Sequence, residues 1–257
     1  MGHERIGFLP RSREWRKLVS EIGDVGLTAD AVPGLAHRTL HQVRRRFDGL
    51  ERDTGLQAAF SFILALCRPV TAAPEPEQEP AIDLGQNPSA LEIARRLNAW
   101  IDANTDSAEY AELAKRSGAD AIAYWTKRCS RQQELFDAQQ TATQIWRDAA
   151  TGSAFSEISR VFFGKLLERY LRYFLDREAS AQFNRIEDRD AFSENLARHV
   201  DSVARHAFEA SRITQSFAAG WYNKNARDAT PTRQDTRGFL SFALGKLRQE
   251  LQREAGE

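Results

Sequence analysis

Sulfur is nearly missing from this 257-residue chain, which holds two cysteines, Cys67 and Cys129, and the single methionine Met1. So few cysteines exclude a secreted scaffold held by disulfides. Both lie in apolar helical patterns and read as small buried hydrophobes. An excess of charge is missing too. Lys and Arg number 36 and Asp and Glu number 36, so no global field draws nucleic acid or anionic lipid, and such binding would need a local patch. There is no long hydrophobic run: the most apolar stretch, Leu56 to Cys67, is about a dozen residues, against roughly 20 needed to span a bilayer. No membrane role is expected. Met1 to Pro10 lacks a basic start followed by an apolar core, so no leader is expected and the cytoplasm is the expected compartment. Lysine is scarce, six of the 36 basic residues. That arginine bias fits a GC-rich bacterial genome and says nothing about function.

Catalytic and cofactor motifs fail on spacing. A phosphate-cradling loop needs a glycine-rich turn whose last glycine precedes Lys and Ser or Thr. Gly164-Lys165 and Gly245-Lys246 are each followed by Leu within a helical pattern. Neither G-x-G-x-x-G nor G-x-S-x-G occurs. No lysine has Asp or Glu two residues before it, as one large class of metal-dependent nucleases requires. Metal-free helical ribonucleases often place Arg five to seven residues before His; here Arg198 stands eight before His206. The Glu-x-x-His pairs of di-iron bundles are absent. No catalytic residue, cofactor or metal site is assigned.

What the chain does hold is helical periodicity. Two segments carry mostly apolar residues, with a few polar ones among them, at alternating steps of three and four, which keeps them on one helix face. The first runs Ile122, Trp125, Cys129, Gln132, Phe136, Gln139, Thr143, Trp146 and Ala150. The second runs Phe192, Leu196, His199, Val203, His206, Ala210, Ile213 and Phe217. Each is expected to be one long rod against another helix. Ser12 can cap a helix with Trp15, Leu18, Val19 and Ile22, ended by Gly23. Pro33 suits the first turn of a second helix, striped Ala36, Leu40, Val43, Phe47 and Leu50. A third, capped by Thr54, is apolar nearly all round from Leu56 to Leu66 and belongs in a core. Ser89 opens a helix with Leu97, Trp100 and Ile101. Asp106 to Gly118 reads as a short one. Ser153 to Glu178 carries two stripes and is expected to be a second central helix. Gly220 to Pro231 reads as a loop, and Thr232 or Asp235 starts a last helix with Leu240, Leu244, Leu247 and Leu251.

The expected fold is therefore all-α: a helical bundle with a smaller N-terminal helical unit joined by a Pro/Glu-rich linker. The expected boundaries are 1–68 for the small unit, 69–88 for a disordered acidic linker, and 89–257 for the larger bundle. The linker holds five of the eight prolines, Glu75, Glu77, Glu79 and Asp83, and no Lys, Arg or aromatic. The small unit is marginal alone and is expected to dock on the second half.

Three groups of residues are candidate sites. On the second helix Arg38, His41, Arg45 and Arg52 leave the apolar stripe, able to grip phosphate or carboxylate or to pair with Asp48 and Glu51. Trp221, Tyr222, Lys224 and Arg227 could stack bases, grip a partner, or fold back into the core. His199 and His206 lie about 10 Å apart along a helix, too far to share one ion, and could set register or sense pH. His37 and His41 have a chelating spacing but lack the glutamate base of zincins and have Arg38 beside them. These features suit a non-enzymatic helical adaptor, or subunit of a bacterial multiprotein assembly, with a protein partner or self-association. The alternative is a nucleic-acid-binding accessory subunit of a DNA-transaction or phage-defence system. Limited proteolysis is expected to cut first within 69–88; resistance across that stretch counts against a linker there.

Overall fold

A computed structural model describes residues 9–25, 28–69, 88–105, 110–136, 141–209 and 216–256. The fold is all-α, with ten α-helices, two short 3-10 turns and no strand among the described residues. The helices are α1 (Arg13–Val25), α2 (Val32–Phe47), α3 (Thr54–Leu66), α4 (Ala90–Asn104), α5 (Ala111–Phe136), α6 (Ala142–Asp148), α7 (Gly152–Gln182), α8 (Ile186–Phe208), α9 (Phe217–Asn225) and α10 (Arg233–Glu254). No helix among these residues is long and apolar enough to cross a membrane.

Two compact units emerge, each built from separate stretches. One comprises Met1–Leu50, Phe163–Ala207 and Ser241–Glu257; the other comprises Glu51–Phe162 and Phe208–Leu240. This division differs from the expected boundaries. α3 groups with α4 to α6 rather than with α1 and α2, and α1 and α2 group with the later part of α7 and most of α8. Residues 70–87 of the expected linker lie outside the described residues.

The first unit closes around α7. Leu166, Tyr170, Leu171 and Phe174 are fully or almost fully buried there. Phe47 meets Tyr170 edge-on at 5.3 Å, and the Tyr170 hydroxyl donates to the Val43 carbonyl at 3.2 Å. Ser12 caps α1, as expected, by accepting from the Trp15 amide. The helix does not stop at Gly23. That glycine continues α1 and lets it approach the carbonyl of Gln182, which a Cβ would meet at 3.3 Å.

The second unit closes around α3, whose apolar residues are buried on nearly every face. Its cap is Asp53 rather than Thr54: the Asp53 carboxylate accepts from the Leu56 amide, while the Thr54 hydroxyl bonds that of Thr105. α3, α4 and α5 pack against one another. Beside them Phe60 stacks on Phe239 at 5.0 Å and meets Phe155 at 6.0 Å.

Both long seams are broken. α5 ends at Phe136, and Thr141 caps a new helix, its hydroxyl and the Gln144 side chain exchanging bonds with each other's backbone. Thr143 is exposed, Gln139 is outside the described residues, and so is the Gln132 side chain. α8 ends at Phe208, and Ser216 caps α9 by accepting from the Ala219 amide at 3.1 Å. Ala210 and Ile213 lie outside the described residues. In both cases a hydroxyl just off the expected seam, Thr141 two residues before Thr143 and Ser216 one before Phe217, starts a new helix and interrupts the period.

Gly118 is the converse case. Expected as a stop, it lies inside α5, where a Cβ would stand 2.5 Å from Leu97 Cδ2. The missing side chain is what lets α5 approach α4 there, and Asp106, the expected cap, lies outside the described residues. Gly118→Val should lower the unfolding free energy by about 2 kcal/mol through overpacking of the fully buried Leu97, measured by urea denaturation. An unchanged midpoint would show that the crossing is looser than the geometry states.

Candidate functional site

The most unusual polar cluster lies in the first unit, where α8 meets the end of α10. His199 Nδ1 stands 3.3 Å from Glu254 Oε2, and His206 Nδ1 stands 2.5 Å from Glu254 Oε1. One carboxylate thus spans two imidazoles that are two turns apart. Ser202 adds a hydroxyl to Oε1 at 3.4 Å. The side chains of His199, Glu254 and His206 are 7%, 16% and 43% exposed. The expected seam therefore turns away at its end. A strict three-four step drifts against the 3.6-residue helical turn, so Val203 and Ala207 take the buried face and His206 reaches solvent.

Burial holds the His199 imidazole below its ordinary value of 6.5, and the Glu254 charge opposes that shift without reversing it. Its Nε2 is buried with no hydrogen-bond partner among the described residues. The ring that fits this setting is neutral, with its proton on Nδ1 donated to Glu254. The Ser202 hydroxyl donates to the carboxylate rather than to an imidazole, so it lacks the histidine partner that activates a serine nucleophile. Among the described residues no group of His, Cys, Asp and Glu could hold a metal ion. Sequence reasoning found both histidines but not Glu254. The glutamate sits three residues beyond Leu251 on the last stripe, yet nothing local marks its partner.

The arginine face is largely paired within the protein. Arg38 Nη1 meets Glu21 Oε2 at 2.7 Å, and its Nε donates to the Gly34 carbonyl. Arg44 holds Asp48 at 2.8 Å, and Arg248 reaches the same carboxylate. Arg52 is not on α2. It lies in the 3-10 turn Leu50–Arg52, in the other unit, 3.4 Å from Glu51. His41 is exposed, and the Arg45 side chain is outside the described part.

The expected loop at Gly220 is instead helix: Gly220 to Asn225 belong to α9. Trp221 lies 4.7 Å from Phe239 and 6.0 Å from Phe155, so it folds back into the core of the second unit. Tyr222 is fully buried, and its hydroxyl donates to the carbonyl of Cys67. Burial pushes that phenol up to about 12. Lys224 and Arg227 are exposed, with Arg227 3.9 Å from Asp228. The two aromatics and the two cations therefore do not share one surface.

A groove of about 420 Å³ opens in the first unit, lined by Pro10, Arg11, Trp15, Arg16, Val19 and Glu178. Trp15 Nε1 donates to Glu178 Oε1 at 3.2 Å and ties α1 to α7 along it. Sequence reasoning assigned no site to these residues.

No protein-family model, curated protein or solved structure matches this chain.

Trp221→Ala should cost about 3 kcal/mol of stability, the usual range for removing a packed aromatic, read from chemical denaturation. A variant as stable as the parent would return Trp221 to the list of contact residues.

Proposed function

We propose that this chain is a non-enzymatic helical adaptor, a subunit of a bacterial multiprotein assembly that grips an acidic segment of a protein partner. The groove between α1 and α7 carries this reading. Its lining combines the apolar residues Pro10 and Val19 with the cationic residues Arg11 and Arg16. Arg13 and Lys17 are exposed on the same helix. Guanidinium forks match carboxylates in two-point geometry, and a mixed apolar and cationic groove suits a short acidic, partly apolar peptide. Glu178 is turned to the indole of Trp15, which leaves the cations as the outward-facing charge.

A protein partner suits the groove better than nucleic acid does. The arginines proposed for nucleic acid, Arg38 and Arg52, already hold Glu21 and Glu51. The chain as a whole carries no net charge.

The test is affinity purification from the bacterial host, then reconstitution with the purified partner. Reversing Arg11 and Arg16 to Glu should weaken that pair by about tenfold or more, with thermal stability unchanged. Unchanged affinity would remove the groove from the interaction. Tight, salt-steep binding of short single- or double-stranded DNA or RNA, lost in the same variant, would overturn the adaptor reading in favour of nucleic acid.

A further inference from the structure

We propose that His199, Glu254 and His206 form a pH-sensitive latch, which fastens the last turn of α10 to α8 near neutral pH and releases it on mild acidification. This inference is independent of the partner reading, since it uses neither the groove nor its residues.

The geometry makes Glu254 the joint. It is the last residue of α10, a place where helices fray because the final carbonyls lack helical partners. Both of its oxygens are engaged, one by each imidazole. The two rings differ in a way that matters. A charge on His206 stands half in solvent beside the carboxylate. A charge on His199 adds an N–H at Nε2, where no acceptor lies among the described residues. An unsatisfied buried donor is costly, and one carboxylate balances only one imidazolium. A proton on His199 therefore breaks the arrangement.

Other charges near the latch are spoken for. On α8, Arg205 holds Asp201 at 2.6 Å, and Arg198 donates to the Asn195 side chain. On α10, Arg253 holds Glu250 at 2.6 Å. α7 approaches α8 where Gly164 faces Ala204, and there Lys165 and Arg172 share Glu168. Glu254 is the charge that acts on His199.

The sign follows from linkage. His199 binds its proton less readily in the folded chain than in the unfolded one, whose value is 6.5. Its contribution to stability is complete above that pH and is lost as pH falls from 6.5 through the lower folded value.

Hydrogen exchange on the full chain, followed by mass spectrometry and corrected for intrinsic rates, tests the latch. Between about pH 7.5 and about pH 5.5, protection of the last turn of α10 should fall by about tenfold, while peptides from α3 hold theirs. His199→Asn keeps a donor near the Nδ1 position but does not titrate, and should keep protection high at both pH values. Glu254→Gln should lower protection at the higher pH and flatten the dependence. A fall of equal size across all peptides would overturn the latch, and so would a fall that persists in His199→Asn. Should that variant not fold, nitrogen-15 NMR of the parent decides. A proton on Nδ1 of His199 near pH 7.5 supports the latch, and a proton on Nε2 overturns it.

Discussion

α7 has two apolar stripes at once, and a helix with that property cannot leave either side in water. Phe155, Ile158, Phe162, Leu166 and Tyr170 form one stripe; Phe163, Leu167, Leu171 and Phe174 form the other, and all are essentially buried. Each such side chain gains about 1.5–3 kcal/mol by leaving water, so the sum demands enclosure. In the first unit, α2 brings Phe47 and the Val43 carbonyl to Tyr170, and α1 brings Trp15 to Glu178. In the second, α3, α9 and α10 bring Phe60, Tyr222 and Phe239 to Phe155. α7 changes unit between Phe162 and Phe163, so each unit is assembled from distant stretches of chain.

Enclosure on this scale creates a second problem, because aromatic side chains bring polar ends with them. For Tyr222 and Trp125 the structure answers it with backbone carbonyls. Tyr222 donates to the Cys67 carbonyl, one of those left over at the end of α3, and Trp125 donates to the Ile145 carbonyl at 3.2 Å. Ser156 and Ser216 bond each other at 2.6 Å, fixing the start of α9 against α7. The same carbonyl bond explains why Tyr222 is a poor candidate for gripping a partner: its hydroxyl is committed and burial has taken it out of reach, while the Trp221 ring is packed on Phe239 and Phe155.

Faces were legible in the sequence because burial follows the helical period. The stripes of α2, α3, α7 and the end of α10 were all readable that way. Breaks were not, because single residue types serve two purposes. Gly118 resembles a stop and is a point of close approach. Thr143 fits the seam, yet Thr141 two residues before it is a cap, and its partner Gln144 was a local signal that periodicity outweighed. Gly220, Asn223 and Asn225 are weak helix formers, yet aromatic packing holds them in α9. The site shows the same split. His199 and His206 stood out as polar residues in an apolar seam, while Glu254 lies 48 residues beyond His206 and only tertiary packing unites them. On α2 the Arg44–Asp48 pair follows from i,i+4 spacing, whereas Glu21 and Arg248 could not be foreseen from the helix alone.

Groove and latch both belong to the first unit, but they draw on different joints. The groove depends on α1 held to α7, through the Trp15–Glu178 bond and the glycine contact of Gly23 with Gln182. The latch depends on α10 held to α8, through Glu254. Leu244, Leu247 and Leu251 keep the body of α10 buried whatever the state of its last turn. Local opening is governed by the contacts of the segment that opens rather than by those of the whole unit. Loss of the Glu254 contacts therefore frees a turn without dissolving the packing that shapes the groove. The proposed partner recognition and the proposed acid response therefore rest on separable joints of one unit.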